Sequence, residues 1–163
     1  MVPMIISDSN FATNLDDRKS VSGYVATIGG MITSWSSKTQ HVVTLSSTEA
    51  EYVAMSMAVQ EGVFLFNQLL ELGVNREPIL VNVDNLGAKF LVENDQISPR
   101  TKHIDVRYHF IKELWRKGHL KVVHIQGEQN ASDILTKNPD IKSFQRHAQN
   151  LTSGKIIIYE GEC

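Results

Sequence analysis

Four carboxylates stand where chemistry can use them. Asp8 closes the short apolar run that begins at Met4, and Asp84 closes the run PILVNVDN. Glu51 lies in the first turns of a long helical pattern, and Asp133 begins a late helical segment. If the strands that end in Asp8 and Asp84 are neighbours in one sheet, the two side chains emerge together, and only a cation makes such crowding of negative charge tolerable. Two hard divalent ions about 3.5–4 Å apart, bridged by carboxylate and phosphate, activate a water and stabilise a leaving oxygen. Hydrolysis of a phosphodiester is the natural reaction for such a set. Taken singly, each residue has a plainer reading: strand-end aspartates are mostly solvated turn formers, and an early-helix glutamate favours the helix dipole.

The elements that must position these residues are legible in the hydrophobic pattern. Met4 to Ser9 reads as a buried strand. Ser20 to Lys38 carries two β-rich runs around Gly29-Gly30, a pair suited to φ > 0 at both central positions of a hairpin. From Ser47 to Leu72 the residues Tyr52, Met55, Val59, Val63, Phe66 and Leu70 step by three and four, which predicts a long amphipathic helix stopped by Gly73. A strand from Pro78 to Asp84 and a short helix LGAKFLVEN follow. After Ser98-Pro99, Thr101 to Lys117 predicts a helix with Ile104, Tyr108, Ile111 and Trp115 on one stripe, and then HLKVVHIQ reads as a last strand. The remainder offers a short helix ASDILTK, a break at Pro139, a further helix through Leu151 and an apolar IIIY. Hairpins mixed with crossovers imply an α/β fold, a mixed five-stranded sheet flanked by helices.

Composition bounds the function classes. At 163 residues with 42% hydrophobic content, one ordinary domain can build its own core. The single cysteine, Cys163, excludes a disulfide framework and a CxxC metal site and is compatible with a reducing compartment, so an intracellular, cytoplasmic location is expected. No run of eighteen apolar residues appears and the N-terminus lacks a basic region, so neither a membrane partner nor export is expected. Sixteen basic against eighteen acidic side chains give a formal charge of −2, so nucleic-acid binding needs a local basic patch. The six histidines are scattered without an i, i+4 pair, which makes a zinc site improbable.

The strings SDSN, DDRKSVSGYV, SWSSKTQ, LSSTEAEYVA, VDN, SPRTKHIDVRYHFIKE and NASDILTK, in this order between Ser7 and Lys137, resemble the ribonuclease H region of copia-type retrotransposon polyproteins. The resemblance implies a ribonuclease H-like fold, with three antiparallel strands followed by parallel ones. It places a ribonuclease H-like domain over 1–137 and a C-terminal helical extension and tail over 138–163. It also implies an Asp-Glu-Asp-Asp active site matched at Asp8, Glu51, Asp84 and Asp133. TEAEY offers both Glu49 and Glu51; the family's glutamate directly precedes the apolar helical pattern, which selects Glu51 and leaves Glu49 as runner-up. Many relatives read Asp-x-Asp at the first position, where this chain has Asp8, Ser9 and Asn10.

The implied activity is endonucleolytic cleavage of the RNA strand of an RNA/DNA hybrid with two Mg²⁺, or Mn²⁺ in their place, leaving 5′-phosphates. The implied partners are the hybrid and a reverse transcriptase domain, and the implied setting is a virus-like particle where the element is active. The alternative is a catalytically silent module of the same fold that binds nucleic acid or protein. Candidate nucleic-acid contacts are Ser47 and Thr48 at the helix start, where capping is the competing role, Asn85 and Asn130 for a ribose 2′-hydroxyl, and Arg100 and Lys102 for phosphates, with an ordinary solvated face as the competing reading of the last two. His124 reads as part of the last strand rather than as a catalytic histidine.

Overall fold

The computed structural model describes residues 2–74, 77–94 and 105–153. Its five strands are β1 (Pro3–Asn10), β2 (Val21–Ile28), β3 (Met31–Thr39), β4 (Ile79–Val83) and β5 (Leu120–His124), arranged in the order β3-β2-β1-β4-β5. The first three form an antiparallel meander whose β2-β3 turn holds Gly29 and Gly30 at φ 59° and 82°, as the glycine pair predicts. β4 pairs with β1 and β5 with β4, both in parallel. This is the mixed sheet expected from the pattern, with the Asp8 and Asp84 strands adjacent.

β1 reads as a continuous apolar run because it is central and covered on both faces. Ile5 enters a core with Tyr24, Tyr52, Met55, Val59 and Val81, while Met4 and Ile6 enter a second core with Val25, Ile125, Ala131 and Leu151. Asp8 does not end its strand: pairing with β2 continues through Asn10↔Val21, whereas the parallel ladder to β4 stops at Ile6↔Asn82. Asp8 therefore stands just past the point where β1 and β4 part, with Asp84 directly after β4.

The helix α1 (Ser47–Glu71) starts where the pattern places it and is capped one residue earlier than Ser47, with Ser46 Oγ accepting from the Glu49 amide. Its buried stripe departs from expectation after Val59. Gly62, Leu65 and Leu69 face the core, Val63 and Phe66 are half-buried and Leu70 is 50% exposed. At 3.6 residues per turn a path that steps by four from Val59 to Val63 drifts off the contact line, and a bare Gly62 lets α1 settle onto Ile5 and Ile79. By length and composition α1 could cross a bilayer, but charged residues interrupt it and its apolar face lies on the sheet.

Among the described residues three further α-helices, α2 (Leu86–Glu93), α3 (Asp105–Arg116) and α4 (Ile141–Thr152), flank the sheet. Tyr108 and Ile111 of α3 are buried and Trp115 is half-buried; Thr101–Ile104 and the IIIY segment lie outside the described residues. ASDILTK forms a 3-10 helix over Ala131–Leu135, and Leu151 of α4 packs into the second core.

Candidate metal centre

The end of the sheet gathers carboxylates from three separate elements. One oxygen each of Asp8 (β1), Asp84 (after β4) and Asp133 (3-10 helix) can be chosen so that all lie within 4.8 Å of one another. Glu51 approaches from the first turns of α1. Its Oε1 accepts from the Ser9 amide at 3.1 Å and from Ser9 Oγ at 2.9 Å, while Oε2 is buried with no hydrogen-bond partner among the described residues.

Glu49 points elsewhere. Its carboxylate accepts from the Leu45 amide and its own amide donates to Ser46 Oγ, so it closes the start of α1. Two residues along a helix is a rotation of about 200°, which sends one glutamate to the cluster and the other to the cap.

The electrostatics are those of a site short of positive charge. Burial, with Asp133 and Asp84 adding to it against the opposing influence of Thr136 and Lys137, pushes the Asp8 carboxyl up to about 7. Burial followed by the nearby Asp8 and Asp84 pushes Glu51 up to about 8. An orphaned, buried carboxylate oxygen beside three converging aspartates fits hard divalent cations, which take all-oxygen ligand sets and return such carboxyls to their ionised form.

Two residues not singled out in the sequence complete the centre. Thr136 Oγ1 donates to Asp8 Oδ2, and Lys137 Nζ lies 3.1 Å from Asp8 Oδ1 and 2.9 Å from Asp133 Oδ1. Partial burial works against the Lys137 charge, but Asp133 and Asp8 outweigh it and hold the ammonium well above the ordinary lysine range. The Asp133-Lys137 spacing of i, i+4 is a signal that NASDILTK already carries; the reach to Asp8 is not.

The other candidate contacts divide. Ser47 is exposed in the first turn of α1, and Thr48 lies against Gly87 at the start of α2. Asn85 caps α2, its Oδ1 accepting from the Ala88 amide at 2.9 Å. Asn130 departs from expectation: it is fully buried, donates to Ser7 O and accepts from the Ser132 amide and hydroxyl, so it fastens the 3-10 helix to β1 instead of meeting a ribose. Arg100 and Lys102 lie outside the described residues. A cavity of about 220 Å³ beside α1 is lined by Lys38, His41 and Arg107, with no acidic residue among the described lining, a basic concentration that the near-neutral composition hides. His124 ends β5, its Nε2 3.2 Å from Asp84 O, with no carboxylate of the cluster as partner.

No protein-family model matches the chain. The retrovirus-related Pol polyprotein from transposon TNT 1-94 of Nicotiana tabacum is 43% identical over 131 residues, 80% of this chain. Those from transposons RE1 and RE2 of Arabidopsis thaliana are 38% and 37% identical over 89% and 92% of it. The chain spans about a tenth of the length of each. Among solved structures, LC11-RNase H1 from compost superposes with a TM-score of 0.63 at 19% identity, covering 83% of this chain and 92% of that one. The same protein in complex with an RNA/DNA hybrid gives 0.60 at 18%, covering 82% and 93%. The chain thus has the ribonuclease H fold and is homologous to one segment of the copia-type, retrovirus-related Pol polyproteins of plant transposons.

Proposed function

We propose that this chain hydrolyses the RNA strand of RNA/DNA hybrids, using divalent ions held by Asp8, Glu51, Asp84 and Asp133 and leaving 5′-phosphates. The observation that carries the reading is the convergence of three aspartates from separate elements beside a buried Glu51 oxygen that lacks a partner among the described residues. Kinship with Pol polyproteins supports a role in reverse transcription, and a hybrid bound to a protein of the same fold supports the substrate class.

When bound, the ions supply a water of lowered pKa and stabilise charge on the departing 3′ oxygen, with Mg²⁺ the natural occupant and Mn²⁺ a substitute. The chain's own residues do the positioning. Ser9 aims Glu51 with two hydrogen bonds to one oxygen and leaves the other for coordination. Thr136 fixes Asp8 against rotation. Lys38, His41 and Arg107 give a backbone phosphate of the hybrid a basic seat, with Ser47, Thr48 and Asn85 at the starts of α1 and α2 as further contacts. In this reading 1–137 is the catalytic unit, 138–163 extends it, and a reverse transcriptase domain of the same polyprotein adds hybrid affinity.

The test is cleavage of a labelled hybrid by the purified chain in Mg²⁺ or Mn²⁺, beside Asp84→Asn and matched double-stranded DNA and RNA. Metal-dependent cutting confined to the hybrid's RNA strand and lost in Asp84→Asn establishes the activity. A folded chain that binds hybrid without cutting it is instead a silent binding module.

A further inference from the structure

Both oxygens of Asp8 are already engaged. Thr136 Oγ1 donates to Oδ2, and the Lys137 ammonium holds Oδ1 at 3.1 Å while also holding Asp133 Oδ1 at 2.9 Å. Thr136 is buried and its hydroxyl is neutral, so a cation can share Oδ2 through the second lone pair without displacing it. Lys137 is different on both counts. Its side chain is 39% exposed on a flexible four-carbon stem, and its charge has the sign of any incoming metal. A divalent cation at the same pair of carboxylate oxygens repels the ammonium at contact distance, and solvent lies open to the lysine, which can leave.

We propose that Lys137 is a displaceable internal counter-ion of this centre, a positioning residue whose ammonium holds Asp8 and Asp133 together in the metal-free protein and competes with divalent cations for the same oxygens. The inference rests on the metal-centre reading above and adds a regulatory property to it: the lysine sets the cation concentration at which the site fills. It also explains how a cluster this acidic survives assembly before a metal arrives, since Lys137 follows Asp133 by one helical turn and is delivered with it.

The experiment is titration of the metal-free full chain with Mn²⁺ and Mg²⁺, without nucleic acid, followed by calorimetry and by the thermal midpoint, for wild type, Lys137→Met and Lys137→Arg. Lys137→Met is expected to melt lower without metal and to half-saturate at about three- to tenfold lower cation concentration, the range kept modest because the lysine is partly exposed. Lys137→Arg, which keeps the charge, should stay within about twofold of wild type. Unchanged or weaker metal binding in Lys137→Met overturns the inference and leaves the metal centre standing. Absence of divalent binding in wild type overturns both. Should the Met variant fail to fold, the side-chain NMR signals of Lys137 in wild type decide: Mg²⁺ must move them to solvent-exposed lysine values, and signals that stay put refute displacement.

Discussion

A Cβ built on Gly23 would stand 2.7 Å from Thr136 Cγ2 and 2.9 Å from Leu135 Cβ. Gly23 is also the cross-strand partner of Asp8, so the missing side chain on β2 lets the 3-10 helix lie against the sheet beside the first aspartate. Gly23→Ala is therefore expected to cost about 1–3 kcal/mol of stability, the usual penalty for overpacking. It should also raise the half-saturating Mg²⁺ concentration, because Asp133, Thr136 and Lys137 move together. Denaturant unfolding combined with metal titration checks both, and a neutral effect on either would show that the 3-10 helix is not held by this contact.

The two glutamates of TEAEY should separate cleanly. Glu51→Gln is expected to abolish hybrid cleavage while the fold persists. Glu49→Gln should keep cleavage within a few-fold and lose on the order of 1 kcal/mol as the start of α1 loosens. Cleavage rates beside thermal melts of both variants distinguish them; equal loss of activity would reinstate Glu49 as a candidate.

Asp84 raises the proton affinity of both Asp8 and Glu51. Replacing it with asparagine removes one of the crowded charges, so metal-free Asp84→Asn should be more stable than wild type near pH 8, by on the order of 1 kcal/mol, despite being inactive. Melting in a chelating buffer measures this. A lower midpoint in the variant would mean that the Asp84 carboxylate is needed for packing.

Stability should also depend on pH in a stated direction. Asp8 and Glu51 keep their protons up to about 7 and about 8 in the folded chain, against ordinary values of 3.8 and 4.5. Between these limits the folded state binds more protons than the unfolded one, so their contribution is complete below the ordinary values and is lost as pH rises through the folded ones. The midpoint of the metal-free chain should carry a falling contribution between about pH 4 and pH 8, and saturating Mg²⁺ should remove it, because the cation takes the place of the protons. Identical profiles with and without Mg²⁺ would break the link between these carboxyls and a metal.

That the apolar runs carrying Asp8 and Asp84 are neighbouring strands came from the sheet; the sequence by itself determined the order of elements, the glycine hairpin, the two apolar runs themselves, and the kinship that selects four carboxylates. These are local or periodic properties: an apolar run, a turn pair and a helical step can be read without knowing what they pack against. What only the tertiary structure decided is which side of α1 meets the sheet after Val59, which glutamate turns inward, that Asn130 is buried, and that Thr136 and Lys137 close on Asp8 from more than a hundred residues away. Long-range contacts leave no periodic trace in a chain. Burial, which sets the charge state of Asp8 and Glu51, exists only once the strands and the late 3-10 helix have come together around them.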